Sequence, residues 1–491
     1  MIPAITAAIV FYKPKQTTVT PTPPKSIAVL PFKPIGEESA NEKMGLGMAD
    51  AIITRLSKLR QIPVRPTSAV ASYTDQPPKD SRTAGKAMGV DSVLEGTVQL
   101  DAGRVRVSVQ LINVQDGNNI WAENFDENYT NIFNVQDSIS ARVVQALEVN
   151  LTSQQKQMIT RRSTINTDAY QAYQMGVYYG TKRNRESLEN AVAYFQKAIE
   201  LDPNYAEAYA MLADSYNMQG YYGYLPRREV APKANKAAAK AIELNPEMAE
   251  AYIALAFLQY GYPNGRIAAK QLLEKAIALS PYNSTAHVRY GWALLADDLD
   301  ATVREMRLAQ EYDPLSPLTN GALCNALTFK NAINEALPYC EKSVELDPAL
   351  PTNRLMLADA YFLAGRSDEA IAQIKQRMAE TEGSEKAAAE GCLGYYLARL
   401  SRKEEAEEIF GRLKVFAVEN PGTLNDLVLI SYALGRPDEG FSYFQQAFEK
   451  SVLTGGMFRN NPIWEQVRAD KRTMDFLNEQ IAMKSQPSPA R

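Results

Sequence analysis

Histidine is almost absent from this 491-residue chain, His287 being the single one. One imidazole cannot build a histidine metal site, and its isolation removes most acid–base designs that work near neutral pH. His287 itself reads as a helix-packing residue. Cysteine is nearly as scarce. Cys324, Cys340 and Cys392 form no C-x-x-C pair, sit in apolar helical contexts and read as free, small hydrophobes. An odd number at wide spacing is no disulfide framework. It fits a reduced compartment without excluding an extracytoplasmic one. An excess of one charge is missing too: 53 Lys and Arg stand against 57 Asp and Glu, for a net −4. Basic residues gather only in short spots, Arg161-Arg162 and Lys182-Arg183-Asn184-Arg185, which read as solvated helix ends. No stripe of cations can neutralise many phosphates, so nucleic acid is not expected as a partner of this chain.

Long hydrophobic runs are also lacking. Residues 2–12 (IPAITAAIVFY) carry no charge, but a spanning helix needs about 20 apolar residues. The run has no positive leading region, so it is not a signal peptide. Two readings stay open: a disordered tail, or the end of a transmembrane helix, a possible membrane anchor, that begins before residue 1. The Thr/Pro stretch through Pro24 then serves as an extended linker.

What is present is an ordinary globular composition, 45% apolar and 22% charged, spread over a length that accommodates several domains. Residues 26–32 (SIAVLPF) form a short continuous apolar run and read as a buried strand. Over 42–59, Met44, Met48, Ile52, Leu56 and Leu59 recur at helical spacing. Residues 62–65 read as a second short strand, and 81–89 as a helix stopped by Gly89. The alternating stretches 92–100 and 104–114 predict a hairpin joined by Asp101-Ala102-Gly103. Asp116-Gly117 turns into a further strand at 119–125. Ile139, Val143, Ala146 and Leu147 place a closing amphipathic helix over 137–151. The order β-α-β-α-β-β-β-α describes a mixed sheet covered by helices.

SIAVLPF, GMADAIITRLSKL, the block from GVDSVLEGTVQL through NIWAENFD, and NIFNVQDSISARVVQAL together resemble the TolB N-terminal-like domain over residues 25–150. Residues 35–45 (IGEESANEKMG) depart from its usual acidic, aromatic run. The resemblance implies a regulatory or extracytoplasmic interaction module and supplies no catalytic residues. Gly45-Leu46-Gly47 lies within the predicted helix and lacks a third glycine, and Gly85-Lys86 lacks the flanking residues of a phosphate loop, so neither predicts nucleotide binding.

The second half repeats. KAIELDPNYAEAYAMLADSY at 197–216 returns at 240–260, at 275–295 and more weakly at 342–361. Pro203, Pro246, Pro281, Pro314 and Pro348 are spaced by 43, 35, 33 and 34 residues. The pattern resembles tetratricopeptide repeats. That resemblance implies about eight antiparallel helix pairs over residues 166–485, with 462–483 as a final capping helix. Small residues mark the close crossings: Ala191, Ala213, Ala256, Gly291, Ala358, Ala370, Gly394 and Ala406. Phe195, Leu212, Tyr216, Leu255, Leu357, Tyr361, Phe410 and Phe444 fill the space around them. No pair hides its own apolar face, so stacking supplies the core.

The fold expected is therefore multidomain: an N-terminal α/β mixed-sheet domain and a C-terminal all-α superhelical solenoid. Such a solenoid presents a concave groove, and its frame nominates Tyr173, Asp214, Asn217, Phe257, Tyr260, Trp292, Asn325, Asp359 and Tyr395 as partner-binding residues. The lysine–asparagine clamp that grips a C-terminal carboxylate in some such arrays is missing. The partner expected is a protein or peptide, including the chain's own first module. No nucleophile elbow, zinc pair or kinase signature appears, so no catalytic residue, metal or cofactor is expected. The two modules together resemble the extracytoplasmic half of bacterial membrane regulators whose winged-helix, cyclase or kinase domain precedes one transmembrane helix. The reading is a membrane-anchored scaffold and sensory region, with a free, cytoplasmic assembly factor and a cyclase or kinase accessory region as alternatives.

Overall fold

The computed structural model describes residues 26–35, 39–129, 132–147, 149, 152–153, 164–259, 265–348, 350–450 and 455–485. The apolar segment 2–12, its linker and Tyr260 lie outside the described residues. The architecture is a small mixed-sheet domain followed by a long helical solenoid.

The sheet contains β1 (Ile27–Val29), β2 (Lys33–Pro34), β3 (Ser92–Asp101), β4 (Arg104–Asn113) and β5 (Asn119–Asn128). Its order is β1-β3-β4-β5, with β2 also beside β3. The first two strands run parallel to β3, and β3, β4 and β5 are antiparallel. Strand β4 shows why the sheet has one dry face: Val105, Val107, Val109 and Leu111 are buried, while Arg104, Arg106 and Ser108 between them are exposed. That is the two-residue period of a half-buried strand. Two long helices close the core, α1 (Ser39–Ser57) and α5 (Ile132–Ala146). Between them come three short helices, α2 (Thr67–Val70), α3 (Ser72–Asp75) and α4 (Ser81–Ala87). Asp80 caps α4 by accepting from the backbone of Arg82 and Thr83, the usual service of an aspartate at that place.

Four local expectations are corrected. Residues 62–65 form no strand: Val64 makes one bridge to Ile27, and the flanking prolines, Pro63 and Pro66, have no N–H for a ladder. The hairpin turn is two residues, not three, because Asp101 still pairs with Arg104 and Ala102 and Gly103 both take positive φ. Strand β5 continues to Asn128, held by pairing with β4 and by Asp126 between Arg104 and Arg106. Helix α5 consequently starts at Ile132 and ends at Ala146.

The solenoid is built of antiparallel pairs. They are α6 (Thr167–Thr181) with α7 (Arg185–Leu201), α8 (Ala206–Tyr221) with α9 (Arg227–Leu244), and α10 (Ala249–Gln259) with α11 (Gly265–Leu279). Next come α12 (Ser284–Leu294) with α13 (Leu299–Tyr312), and α14 (Pro317–Phe329) with α15 (Ile333–Leu346). The last are α16 (Pro351–Leu363) with α17 (Ser367–Glu380), α18 (Gly383–Arg399) with α19 (Lys403–Phe416), and α20 (Leu424–Ala433) with α21 (Pro437–Glu449). Ala191, Ala213, Ala256, Ala358, Ala370 and Ala406 are fully buried where helices cross.

Residues 462–483 are not one capping helix. After α22 (Gly455–Asn460) and a 3-10 turn (Pro462–Trp464), α23 (Glu465–Ala469) stops at Asp470, and α24 (Lys471–Ser485) follows. Asp470 leaves the helical region at ψ 109 and accepts from the Arg472 backbone N–H at 3.0 Å, capping the next helix.

The cysteines also differ from expectation. Cys324 and Cys340 are disulfide-bonded, with Cα atoms 5.0 Å apart, and Cys392 alone is free. The partners stand on α14 and α15, which fold back on each other as one pair, so residues 16 apart in sequence meet face to face. His287 is a packing residue: it is buried, with Nδ1 2.6 Å from Glu305 Oε2 and Nε2 2.9 Å from the Pro281 carbonyl.

Candidate partner-binding groove

The nominated residues fall into three environments. Asn217 and Phe257 meet in one of them, around a cavity of about 150 Å³ also lined by Tyr221 and Arg227. Asn217 is buried and its Nδ2 donates to the Ala254 carbonyl at 2.9 Å. The Phe257 ring lies under the Arg289 guanidinium at 4.0 Å, with Arg227 at 5.9 Å and Tyr221 edge-on at 5.9 Å. Guanidinium over an aromatic face is a favourable charge–quadrupole contact. Nearby, Asp214 pairs with Arg183 at 3.5 Å. Trp292 is half-buried against the C-terminal core, and Asn325 is half-buried in α14.

Tyr173 belongs to the second environment, the joint between the modules. Its hydroxyl donates to Asp50 Oδ2 in α1 at 3.4 Å. The neighbouring Tyr170 hydroxyl donates to the Gly47 carbonyl at 3.4 Å and its ring meets Phe133 edge-on. Helix α1 can approach α6 because Gly47 has no side chain: a Cβ there would stand 2.4 Å from Gln174 Cγ. Gly45 serves the same purpose within the module, since its Cβ would lie 2.1 Å from the Phe32 carbonyl oxygen. Further along, Arg65 donates to the carbonyls of Met88, Gly89 and Tyr312 at 2.8, 3.0 and 2.9 Å. Ser68 donates to Asp313 Oδ2 at 3.1 Å, and Leu315 packs on the module's core. Burial pushes the Asp313 carboxyl up to about 7, against the pull of Ser68 and Arg65. Burial raises Asp50 as well, offset in part by hydrogen bonds from Thr67 and Tyr173. The first module is thus seated on the solenoid through α6, the start of α8 and the turn after α13.

The third environment is the C-terminal end. Tyr395 is buried and its hydroxyl donates to the Ile463 carbonyl at 3.3 Å. Asn460 Nδ2 reaches back to the Leu295 carbonyl at 2.8 Å, and Phe458, Ile463 and Trp464 are buried. Asp359 accepts from the Tyr396 hydroxyl at 2.5 Å, and burial pushes its carboxyl up to about 7. Tyr173 and Tyr395 are therefore taken by the chain's own segments.

Reading the sequence missed Asp50, Arg65 and Asp313. A signal for the first existed: two glycines inside one helix cost roughly 0.5–1 kcal/mol each against alanine, so their presence marks close approach. Nothing local marks the other two.

Residues 24–142 match the family model described as the second domain of HilA/YgeH-like transcriptional regulators. Residues 182–220 match a TPR repeat and 330–389 a tetratricopeptide repeat. Over 188 residues the chain is 32% identical to "Putative adenylate cyclase 3" of Rhizobium meliloti (strain 1021), covering 38% of this chain and 32% of that protein. The chain thus spans about a third of that relative's length. Among solved structures, human IFIT1 dimer with m7Gppp-AAAA aligns at 16% identity and TM-score 0.41, covering 65% of this chain and 78% of that one. A thermophilic TPR protein of Thermus thermophilus, TTC0263, aligns at 18% identity and TM-score 0.34, covering 40% and 99%. Residues 24–142 are thus similar to the second domain of HilA/YgeH-like regulators, and tetratricopeptide repeats follow them.

Proposed function

We propose that this chain is a non-enzymatic interaction region of a bacterial membrane-associated regulator, which captures a protein or peptide partner in the stretch of groove around Phe257. One observation carries the reading: α6 and the start of α8 are seated against the first module and the C-terminal end is crossed by residues 458–464, whereas the cavity that the end of α8 forms with α9 and α10, at Asn217 and Phe257, is bordered by rings and guanidiniums. Aromatic side chains and arginine are the usual anchors of protein interfaces. The first module is the intramolecular partner, and its TolB-like character, extracytoplasmic placement and anchoring through residues 2–12 belong to the same proposal. The Cys324–Cys340 bond supports an oxidising compartment, where structural disulfides persist.

The relative named as a putative adenylate cyclase favours a second reading, an accessory region of a cyclase polypeptide. Sequencing the reading frame upstream of residue 1 separates the two, since one requires a winged helix there and the other a cyclase domain. The groove is tested by affinity capture with the full chain against Phe257→Ala combined with Arg289→Ala. Loss of specific partners is expected, and undiminished capture by the folded variant removes this stretch from consideration.

A further inference from the structure

Two tasks fall to the chain after α21, and different residues perform them. A solenoid needs a cover for the apolar face of its last pair. Helix α24 supplies it: the Phe476 ring meets Phe441 and Phe448 of α21 edge-on at 6.2 and 5.3 Å. Residues 458–467 instead return to helices far back in the chain. Asn460 Nδ2 donates to the Leu295 carbonyl at the end of α12, 165 residues away, at 2.8 Å. The Ile463 carbonyl accepts from the Tyr395 hydroxyl of α18 at 3.3 Å, and the 3-10 turn lies against α16. Helices α12, α16 and α18 are the first of their pairs, the ones that line the concave side of such an array.

The segment is held there as a bound peptide would be. Phe458, Ile463, Trp464 and Val467 are at most 6% exposed, and the Phe458 ring lies 5.2 Å from Phe444 and 5.7 Å from Trp464. Buried aromatic anchors carry most of the energy of such recognition. Tyr395 is set to meet a backbone carbonyl: Arg399 donates to its oxygen at 3.2 Å, which leaves the hydroxyl proton for Ile463. The segment also brings hydrogen bonds of its own. Arg468 donates to the Phe458 and Asn461 carbonyls at 2.6 and 2.7 Å. The Asn461 side chain accepts from the Ile463 N–H at 3.0 Å, and the Thr473 hydroxyl donates to the Val467 carbonyl at 2.6 Å. Those bonds travel with the segment when it leaves, so release exposes apolar side chains without stripping these backbone groups of their partners.

We infer that residues 458–467 are an intramolecular plug, and that the groove over α12, α16 and α18 is a second partner site for a peptide that reproduces the plug: an aromatic ring followed, five and six residues on, by an aliphatic–aromatic pair. Partner and plug exclude each other. The apparent affinity for the partner is its intrinsic affinity reduced by the fraction of chains whose plug is out, so the chain at rest is self-blocked at this end. This goes beyond capture at Phe257 and does not depend on it.

The test uses the purified full chain and a fluorescein-labelled synthetic peptide of residues 455–470, read by fluorescence anisotropy. Phe458→Ala combined with Trp464→Ala loosens the plug, and this variant should bind the peptide at least about tenfold tighter than the native chain. Adding Tyr395→Phe to the loosened chain removes the donor to the Ile463 carbonyl and should weaken binding about fivefold. Should the loosened variant not fold, hydrogen exchange of the native chain decides: the amides of 463–467 should exchange through a local opening that α18 does not share. No binding to a folded loosened chain, equal affinity in native and loosened chains, or exchange of 463–467 only together with α18 would overturn the assignment. Capture at Phe257 is not read in either measurement, so such a failure leaves that groove standing.

Discussion

Replacing Gly47 with alanine isolates the joint between the modules. The new methyl would stand 2.4 Å from Gln174 Cγ and 2.5 Å from its Nε2, about an ångström inside ordinary contact. Gln174 is 5% exposed and has little space into which to retreat. Overpacking of this kind costs roughly 1–3 kcal/mol. At about 1.4 kcal/mol per factor of ten, docking weakens by roughly 5- to 150-fold. Helix α1 itself gains about 0.5–1 kcal/mol from losing a glycine, so the module remains folded while its seat loosens. Hydrogen exchange separates the two effects. Amides of α1 and α6 should exchange faster, and those of β3 and β4 should not. Gly180→Ala in the same α6 is the control, because its nearest neighbour is the Ala191 methyl at 3.8 Å. Unchanged exchange in α6 of a folded Gly47→Ala chain would refute the reasoning.

Two further outcomes follow from the same structure. Asp313 is pushed up to about 7 and Asp50 is raised, both chiefly by burial at the joint. Carboxyls whose values rise on docking favour it below the ordinary carboxylate range and lose that contribution as pH climbs through about 7. The joint should therefore be tighter at pH 5 than at pH 8 by exchange in α1, with Asp313→Asn flattening the profile; tightening at alkaline pH would contradict it. The Cys324–Cys340 bond spans 16 residues, and a loop of that size is worth about 3 kcal/mol by chain entropy. Reductant should lower the Tm of the native chain and leave a Cys324→Ser, Cys340→Ser double variant unmoved. An unaltered native melt would mean that the thiols are reduced in solution.

Much of the fold was legible because its determinants are local. Alternation over residues 104–111 specified a strand, and Met44, Met48, Ile52 and Leu56 specified the buried stripe of a helix whose four members are at most 6% exposed. Where boundaries moved, tertiary pairing overrode pattern. Strand β5 ran on because β4 offered partners, and 62–65 failed as a strand because prolines interrupt its ladder. The disulfide was illegible because its spacing resembles nothing but helix packing until α14 and α15 are folded together.

The groove was legible only as a frame. Repeat position alone nominated Tyr173 and Phe257 alike, yet the first faces Asp50 and the second lines a cavity beneath Arg289. That division depends on contacts between residues 123 apart, as in Tyr173 with Asp50, or 247 apart, as in Arg65 with Tyr312. The sequence by itself determined which helices pair and where small residues let them cross, because those interactions recur every 34 residues or so and involve only neighbours. What the groove holds was decided by the tertiary structure. The accumulated curvature of the stacked pairs brings α6 and the turn after α13 to one mixed-sheet module, and no single repeat encodes that sum.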